Sequence, residues 1–180
     1  MYKHLFLLAL LILSTTAQAL PSQLNVVGIV PGVSTKAEVV SKKDGKLYVI
    51  GGYKIICIPE FSTEGLLQQL FCVTGEKYGS VDATKETYRP VSNIEVHETL
   101  AKGFKKKFGK PYHSEDFVRS TGLGVRVNSN LTEWKDKKGN KLTLLSMSDK
   151  IDEGLLLLQS AEKIKQDEAD TKKEEEDRKF

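Results

Sequence analysis

The chain has 180 residues but only two cysteines, three histidines, two methionines and one tryptophan, and this scarcity narrows the chemistry open to it. A zinc site needs three or four Cys, His or carboxylate ligands in compact spacing. Beyond the N-terminal region the only imidazoles are His97 and His113, so neither a metal nor a cofactor is expected. The cysteines, Cys57 and Cys72, are too far apart for the Cys-x-x-Cys spacing of a redox pair. No serine sits in a Gly-x-Ser-x-Gly elbow. The glycines of "TGLGVRV", residues 121 to 127, lack both the spacing of a phosphate-binding loop and a helix after it, and they read as a strand-entry turn. Carboxylate pairs for acid–base work are limited to Glu115-Asp116 and to Asp149 with Asp152 and Glu153, which read as solvated loop acids. No catalytic constellation is present, and the sequence predicts a protein that is not an enzyme.

Long apolar runs are also missing. The longest, Leu5 to Leu13, is shorter than the roughly 20 residues that cross a bilayer. It follows Lys3 and precedes Ala17-Gln18-Ala19, the small-x-small pattern that a signal peptidase reads. Residues 1–19 are therefore expected to be a secretory signal peptide cleaved after Ala19, leaving a periplasmic or secreted protein with no transmembrane segment. Neither cysteine lies near the leader, so a lipid anchor is not expected.

Net charge is small. The whole chain carries +3, the leader +1, and residues 161–180, with six basic and eight acidic residues, carry −2, so residues 20–160 carry +4. That is far below the density of a nucleic-acid binder. The tail, "AEKIKQDEADTKKEEEDRKF", has Ile164 as its one large aliphatic residue before Phe180. It reads as a solvated helix or a disordered extension.

Between these ends the chain reads as helix, strands, helix, strands. Thr35-Lys36-Ala37-Glu38 is a capping box that opens a short helix to about Lys42. Three apolar stretches follow, "KLYVI" (46–50), "YKIICI" (53–58) and "LLQQLFCV" (66–73), separated by Gly51-Gly52 and by Pro59 to Gly65, and they read as an antiparallel meander. Thr74 to Pro90 reads as a long loop. A second capping box, Ser92-Asn93-Ile94-Glu95, opens a longer helix with Ile94, Leu100, Ala101, Phe104 and Phe108 on one face, closed by Gly109 and Pro111. Then "DFVRS", "GVRVN", "LTEWKD", "KLTLLSM" and "GLLLLQS" alternate with turns, the clearest at Asp136 to Gly139. The expected fold is α+β, short helices on one face of an antiparallel sheet. Residues 20–160 form a single domain, with 20–90 and 91–160 as two helix-plus-sheet units sharing one sheet.

The stretch "GIVPGVSTKAEVV" resembles the opening of periplasmic domains of the SmpA/OmlA outer-membrane-assembly type. There a Gly-x-x-x-Gly turn leads into a capped helix; the matching positions are Gly28, Gly32, Val33, Ser34, Glu38 and Val39. "LAKGFKKKFGKPY" with "LTEWKDKKGNKLTL" is similar to a pattern in small exported bacterial proteins of the same class, which includes the β-lactamase-inhibitor proteins. The resemblance implies two short helices on an antiparallel sheet and a role in binding other proteins. It carries over no functional residue, and in a bacterium the sequon Asn130-Leu131-Thr132 would stay silent.

Export to an oxidising compartment favours a disulfide. If Cys57 faces Cys72 across two antiparallel strands, Ile56 faces Val73, Ile58 faces Phe71 and the midpoint falls between Glu64 and Gly65. Pro59, opposite Leu70, is expected to fray the ladder. The tip of this clamped hairpin, with Phe61 and Glu64, is a candidate contact loop. Trp134 reads as half-buried core, or else as an exposed anchor for a partner. Lys102, Lys105 and Lys106 read as a solvated helix face able to meet an acidic partner or anionic envelope lipid. The expected function is an exported, non-enzymatic protein-binding module, with the sheet face or its hairpin loops as the recognition surface and another periplasmic or secreted protein as partner. The alternative is an inhibitor or immunity-type protein that blocks a secreted hydrolase.

Overall fold

Thr35 opens the first helix as its neighbours predict. Its hydroxyl accepts from the Glu38 amide (3.4 Å) while the Glu38 carboxylate accepts from the Thr35 amide (2.8 Å), which also holds the Glu38 pKa below the usual carboxylate range. The computed structural model describes residues 20–45, 47–84, 89–120, 124–148 and 150–178, so the expected leader lies outside the described residues. In chain order the elements are α1 (Lys36–Ser41), β1 (Lys43–Asp44), β2 (Leu47–Ile50), β3 (Tyr53–Phe61), β4 (Leu67–Thr74), a 3-10 turn (Glu76–Tyr78), β5 (Val81–Asp82), β6 (Arg89–Pro90), α2 (Asn93–Phe108), β7 (His113–Ser120), β8 (Arg126–Lys135), β9 (Lys141–Leu145), β10 (Gly154–Gln159) and α3 (Ala161–Asp177).

The main sheet runs β1-β2-β3-β4-β10-β9-β8-β7, antiparallel throughout, with β5 and β6 attached beside β3. The fold is α+β. α1 belongs with β1–β4, α2 with β7–β10, and the two halves meet where β4 pairs with β10 along their full length. One face of the sheet carries Tyr48, Ile55, Cys57, Leu70, Cys72, Leu156, Leu158, Leu142, Leu144 and Trp134. Val39 of α1 and Val96, Leu100, Phe104 and Phe108 of α2 pack onto it, forming the core. The N-terminal segment completes that core with Leu24, Val26 and Ile29, each at most 1% exposed.

Several expectations change in the folded chain. Ile94 is 47% exposed, and Val96 and His97 take its place on the buried face of α2. At about 100° per residue, Ile94 stands roughly 80° from Phe104, while Val96, Leu100, Phe104 and Phe108 form an i, i+4 row. The second capping box is half made. Ser92 Oγ accepts from the Glu95 amide (3.2 Å), but the Glu95 carboxylate is drawn to both terminal nitrogens of Arg89, a stronger charge-assisted pair.

"GVRVN" and "LTEWKD" are one strand, β8, because the polar Ser129 and Asn130 between them pair with Phe117 and Asp116 of β7. The expected loop from Thr74 to Pro90 holds the 3-10 turn and the two short strands β5 and β6. Pro59 does not fray its ladder: it pairs opposite Leu70, and the register continues to Phe61 past a bulge. β2 accompanies β3 only as far as Ile56, so Pro59 lies where β3 has a strand on one side alone, the setting in which a sheet tolerates proline. The tail is helical over Ala161–Asp177, capped by Ser160, and buries no residue.

Candidate functional site

The face of the sheet opposite the helices has the composition of a buried surface. Leu47 pairs opposite Ile56, Ile56 opposite Val73, Val73 opposite Leu155, Leu155 opposite Leu145, and Leu145 opposite Leu131. Partners opposite each other share a face, so six aliphatic side chains form one row across six strands, about 24 Å at about 4.8 Å per strand. Beside it, Ile58, Phe71 and Leu157 begin a second row, which turns polar at Thr143, Glu133 and His113. No residue of the first row is buried, Ile56 is 37% exposed and Ile58 63%. α1 and α2 lie on the other face. α3 borders only the end of this one, through Lys163 to Glu60 (2.9 Å) and Gln159 to Asp167 (3.0 Å).

A sheet face was an expected recognition surface, but none of the residues of this row was among the candidate contacts, although their trace is in the sequence. "LLLL" at 155 to 158 places two leucines on each face of β10, and "IICI" at 55 to 58 places Ile55 and Cys57 on one face of β3 and Ile56 and Ile58 on the other. A strand apolar on both sides belongs to a sheet covered on both sides.

The predicted site residues fall in separate places. Cys57 and Cys72 form the disulfide, and the hairpin has the expected register of Ile56 to Val73 and Ile58 to Phe71. Of the tip residues, Glu64 is exposed, whereas Phe61 is half-buried against the core. Trp134 is 1% exposed, meets Phe104 edge to face at 5.9 Å and donates Nε1–H to the Gly109 carbonyl (3.0 Å), so it presents no surface to a partner. Its register opposite Leu142 fixes it on the helix-covered face. Lys102, Lys105 and Lys106 are exposed on α2, across the sheet from the apolar row. Glu115 and Asp116 alternate to opposite faces of β7 and form no acid–base pair. Asp152 is held by Lys77 (3.3 Å) and Glu153 by Ser148 and Lys150, while Asp149 lies outside the described residues.

His97 stands apart. It is 7% exposed and lines a cleft of ≈ 410 Å³ between α2 and the middle of β7 and β8, together with Ile94, Glu98, Ala101, Asp116, Asn130 and Ser146. Its Nε2 is buried with no hydrogen-bond partner. Burial pushes the His97 pKa down, opposed by the negative charges of Glu98 and Asp116. Ser146 Oγ accepts from the Asn130 amide (2.8 Å), and because His97 Nε2 has no partner, no Ser–His bond of the kind that activates a nucleophile is formed there.

Among the described residues, no group of three or more His, Cys, Asp or Glu is placed to hold a metal ion, and no helix is long and apolar enough to cross a membrane. No protein-family model, no curated protein and no solved structure matches the chain.

Proposed function

We propose that the protein is an exported, non-enzymatic binding module, and that its recognition surface is the uncovered face of the sheet. The observation that carries this reading is the aliphatic row Leu47, Ile56, Val73, Leu155, Leu145 and Leu131. Contiguous apolar surface of this kind marks an interaction site. The partner is a second periplasmic or secreted protein with an apolar centre, seated over Ile56, Ile58, Phe71 and Leu157, the most apolar end of the face. The disulfide, the two-unit sheet and the resemblance to protein-binding domains all accord with that role.

Photocrosslinking from position 58 in the cell envelope tests the proposal. One discrete protein should be captured, competed by purified wild type and lost in the Ile56→Lys/Leu157→Lys variant. Failure to capture any protein, with tight binding of a small molecule instead, overturns it.

The cleft at His97 favours a second reading, a hydrolase, because it gathers an imidazole with two carboxylates. Turnover of an ester, glycoside or peptide substrate that is abolished by His97→Gln would establish it. Inhibition of a secreted lysozyme or β-lactamase by the purified protein would narrow the binding-module reading to an inhibitor.

A further inference from the structure

The sheet ends on one side at β7, which among the described residues pairs with β8 alone. From His113 to Ser120 the strand holds one register with β8, and no bulge interrupts it. A terminal strand of this kind offers its outer backbone N–H and C=O groups to another strand, and folded proteins blunt such an edge by shortness, proline or a bulge. Other margins of this sheet are blunted in those ways. β1 is two residues long, β6 is two residues long and holds Pro90, and β3 carries Pro59 where β2 no longer accompanies it. β7 has no proline, no lysine and no bulge. Neither side of it is roofed: Ser114, Asp116 and Val118 are exposed on the helix side, Val118 by 58%, and Glu115 and Phe117 stand on the face that α1 and α2 leave uncovered.

The sequence of β7 is also complementary to itself. Two antiparallel copies related by a two-fold axis normal to the sheet must set one residue opposite its own copy, because paired residues share a face. Two such alignments use nearly the whole strand, one pairing residues 113–119 and the other residues 114–120. The first puts Asp116 on the axis and opposes it to the second copy's Asp116, a destabilising pair of like charges. The second puts Phe117 on the axis, Glu115 opposite the second copy's Arg119, Asp116 opposite its Val118 and Ser114 opposite its Ser120. By symmetry the Glu–Arg pair occurs twice, flanking an aromatic pair, and both kinds of cross-strand pair are stabilising. Within one copy, Glu115 reaches only the exposed His113 of its own strand, at 3.5 Å.

We propose that the protein forms a two-fold symmetric dimer by pairing β7 with β7 of a second copy, with Phe117 on the axis and Glu115 opposite Arg119. The sheet then continues unbroken from one copy to the next. Both uncovered faces lie on the same side of the joined sheet, so the dimer presents two apolar rows on one surface. The inference rests on the β7 edge and stands whether or not the apolar face binds a protein.

Sedimentation velocity of the mature protein over a rising concentration series should show a monomer–dimer equilibrium. Glu115→Arg and Arg119→Glu, each alone, turn both cross-strand pairs into like charges and should weaken self-association about tenfold. An equimolar mixture of the two variants should recover it, because in the mixed dimer both pairs are again opposite in sign. An unchanged Trp134 fluorescence spectrum shows that each variant is folded. In the wild type, the amide resonances of residues 114–120 should shift with concentration, a readout that needs no variant. A chain that stays monomeric at every concentration overturns the proposal. So does a dimer that neither single variant weakens, or one that Ile56→Lys/Leu157→Lys abolishes, which would place the contact on the apolar face.

Discussion

Val73 lies directly opposite Leu155 at the seam where the two halves of the sheet join. Its neighbours on either side, Ile56 and Leu145, continue the same row into both halves. Two units that share backbone hydrogen bonds, a core and a surface in this way have no boundary at which one can unfold alone.

Unfolding should therefore be a single transition. Trp134 reports on the half built from α2 and β7–β10, and the disulfide hairpin belongs to the other. Urea unfolding followed by Trp134 fluorescence and by far-ultraviolet circular dichroism should give coincident curves. Separate midpoints would show that the seam does not couple the halves.

The Cys57–Cys72 disulfide closes a 15-residue span, and both sulfurs belong to residues buried in the core, 4% and 0% exposed. Cys57→Ser/Cys72→Ser should lower stability by about 3 kcal/mol, the loop-closure contribution for this length, with added loss from two buried hydroxyls. Reductant without denaturant should leave the bond intact in the folded protein. Intact-mass measurement after alkylation would reveal any early reduction.

Asp136, 1% exposed at the β8–β9 turn, accepts from the amides of Leu24 (3.0 Å), Lys138 (2.9 Å) and Asn140 (3.0 Å) and from Asn140 Nδ2 (2.9 Å). Asp136→Ala leaves several of these donors buried and unpaired, a loss of about 3 kcal/mol. Hydrogen exchange of the Leu24 amide should accelerate more than the global change in stability requires, because this carboxylate ties the N-terminal segment to the hairpin.

The Tyr48 hydroxyl is buried with no partner, so Tyr48→Phe should leave the protein as stable at neutral pH or more stable by about 1 kcal/mol. Tyr48 also enters the alkaline behaviour, since burial raises its pKa. Tyr112 is pushed up to about 12, by burial first and then by its hydrogen bond to Glu133. Both phenols hold protons in the folded state that the unfolded chain gives up near pH 10. Their contribution is complete below about pH 10 and is lost as the pH rises through about 12 for Tyr112. Denaturant titrations across this range should show a shallower decline in both Tyr48→Phe and Tyr112→Phe.

On the acid side, the lowered His97 pKa has the opposite sign. The unfolded imidazole takes up its proton near pH 6.5, before the folded one does, so the contribution of His97 is present above that value and lost as the pH falls through the folded pKa. His97→Gln should flatten stability between neutral pH and the carboxylate range. An unchanged pH profile would place the acid transition elsewhere.

Features that depend on near neighbours, or on two strands joined by one short loop, were legible in the sequence. The Thr35 box, the Gly109 stop, the turn at Asp136 and the register of the cysteine hairpin all rest on local sterics and on pairing across one short loop. The readings that failed depended on partners outside the element being read. Ser129 and Asn130 look like a turn until β7 lies beside them, Glu95 completes its capping box on paper but meets Arg89 in space, and Ile94 belongs to the apolar face until Phe104 and Trp134 set the rotation of α2. The candidate surfaces were hidden for the same reason. Leu131, Leu145 and Leu155 become neighbours of Val73 and Ile56 only once β4 has paired with β10, and His97 Nε2 becomes buried without a partner only once α2 rests on the sheet. Caps, turns and alternation are set by short-range sterics and hydrogen bonding, which the order of residues specifies directly. Strand neighbours and helix rotation are set by which packing of the whole core leaves least apolar surface in water, and that minimum exists only for the assembled chain.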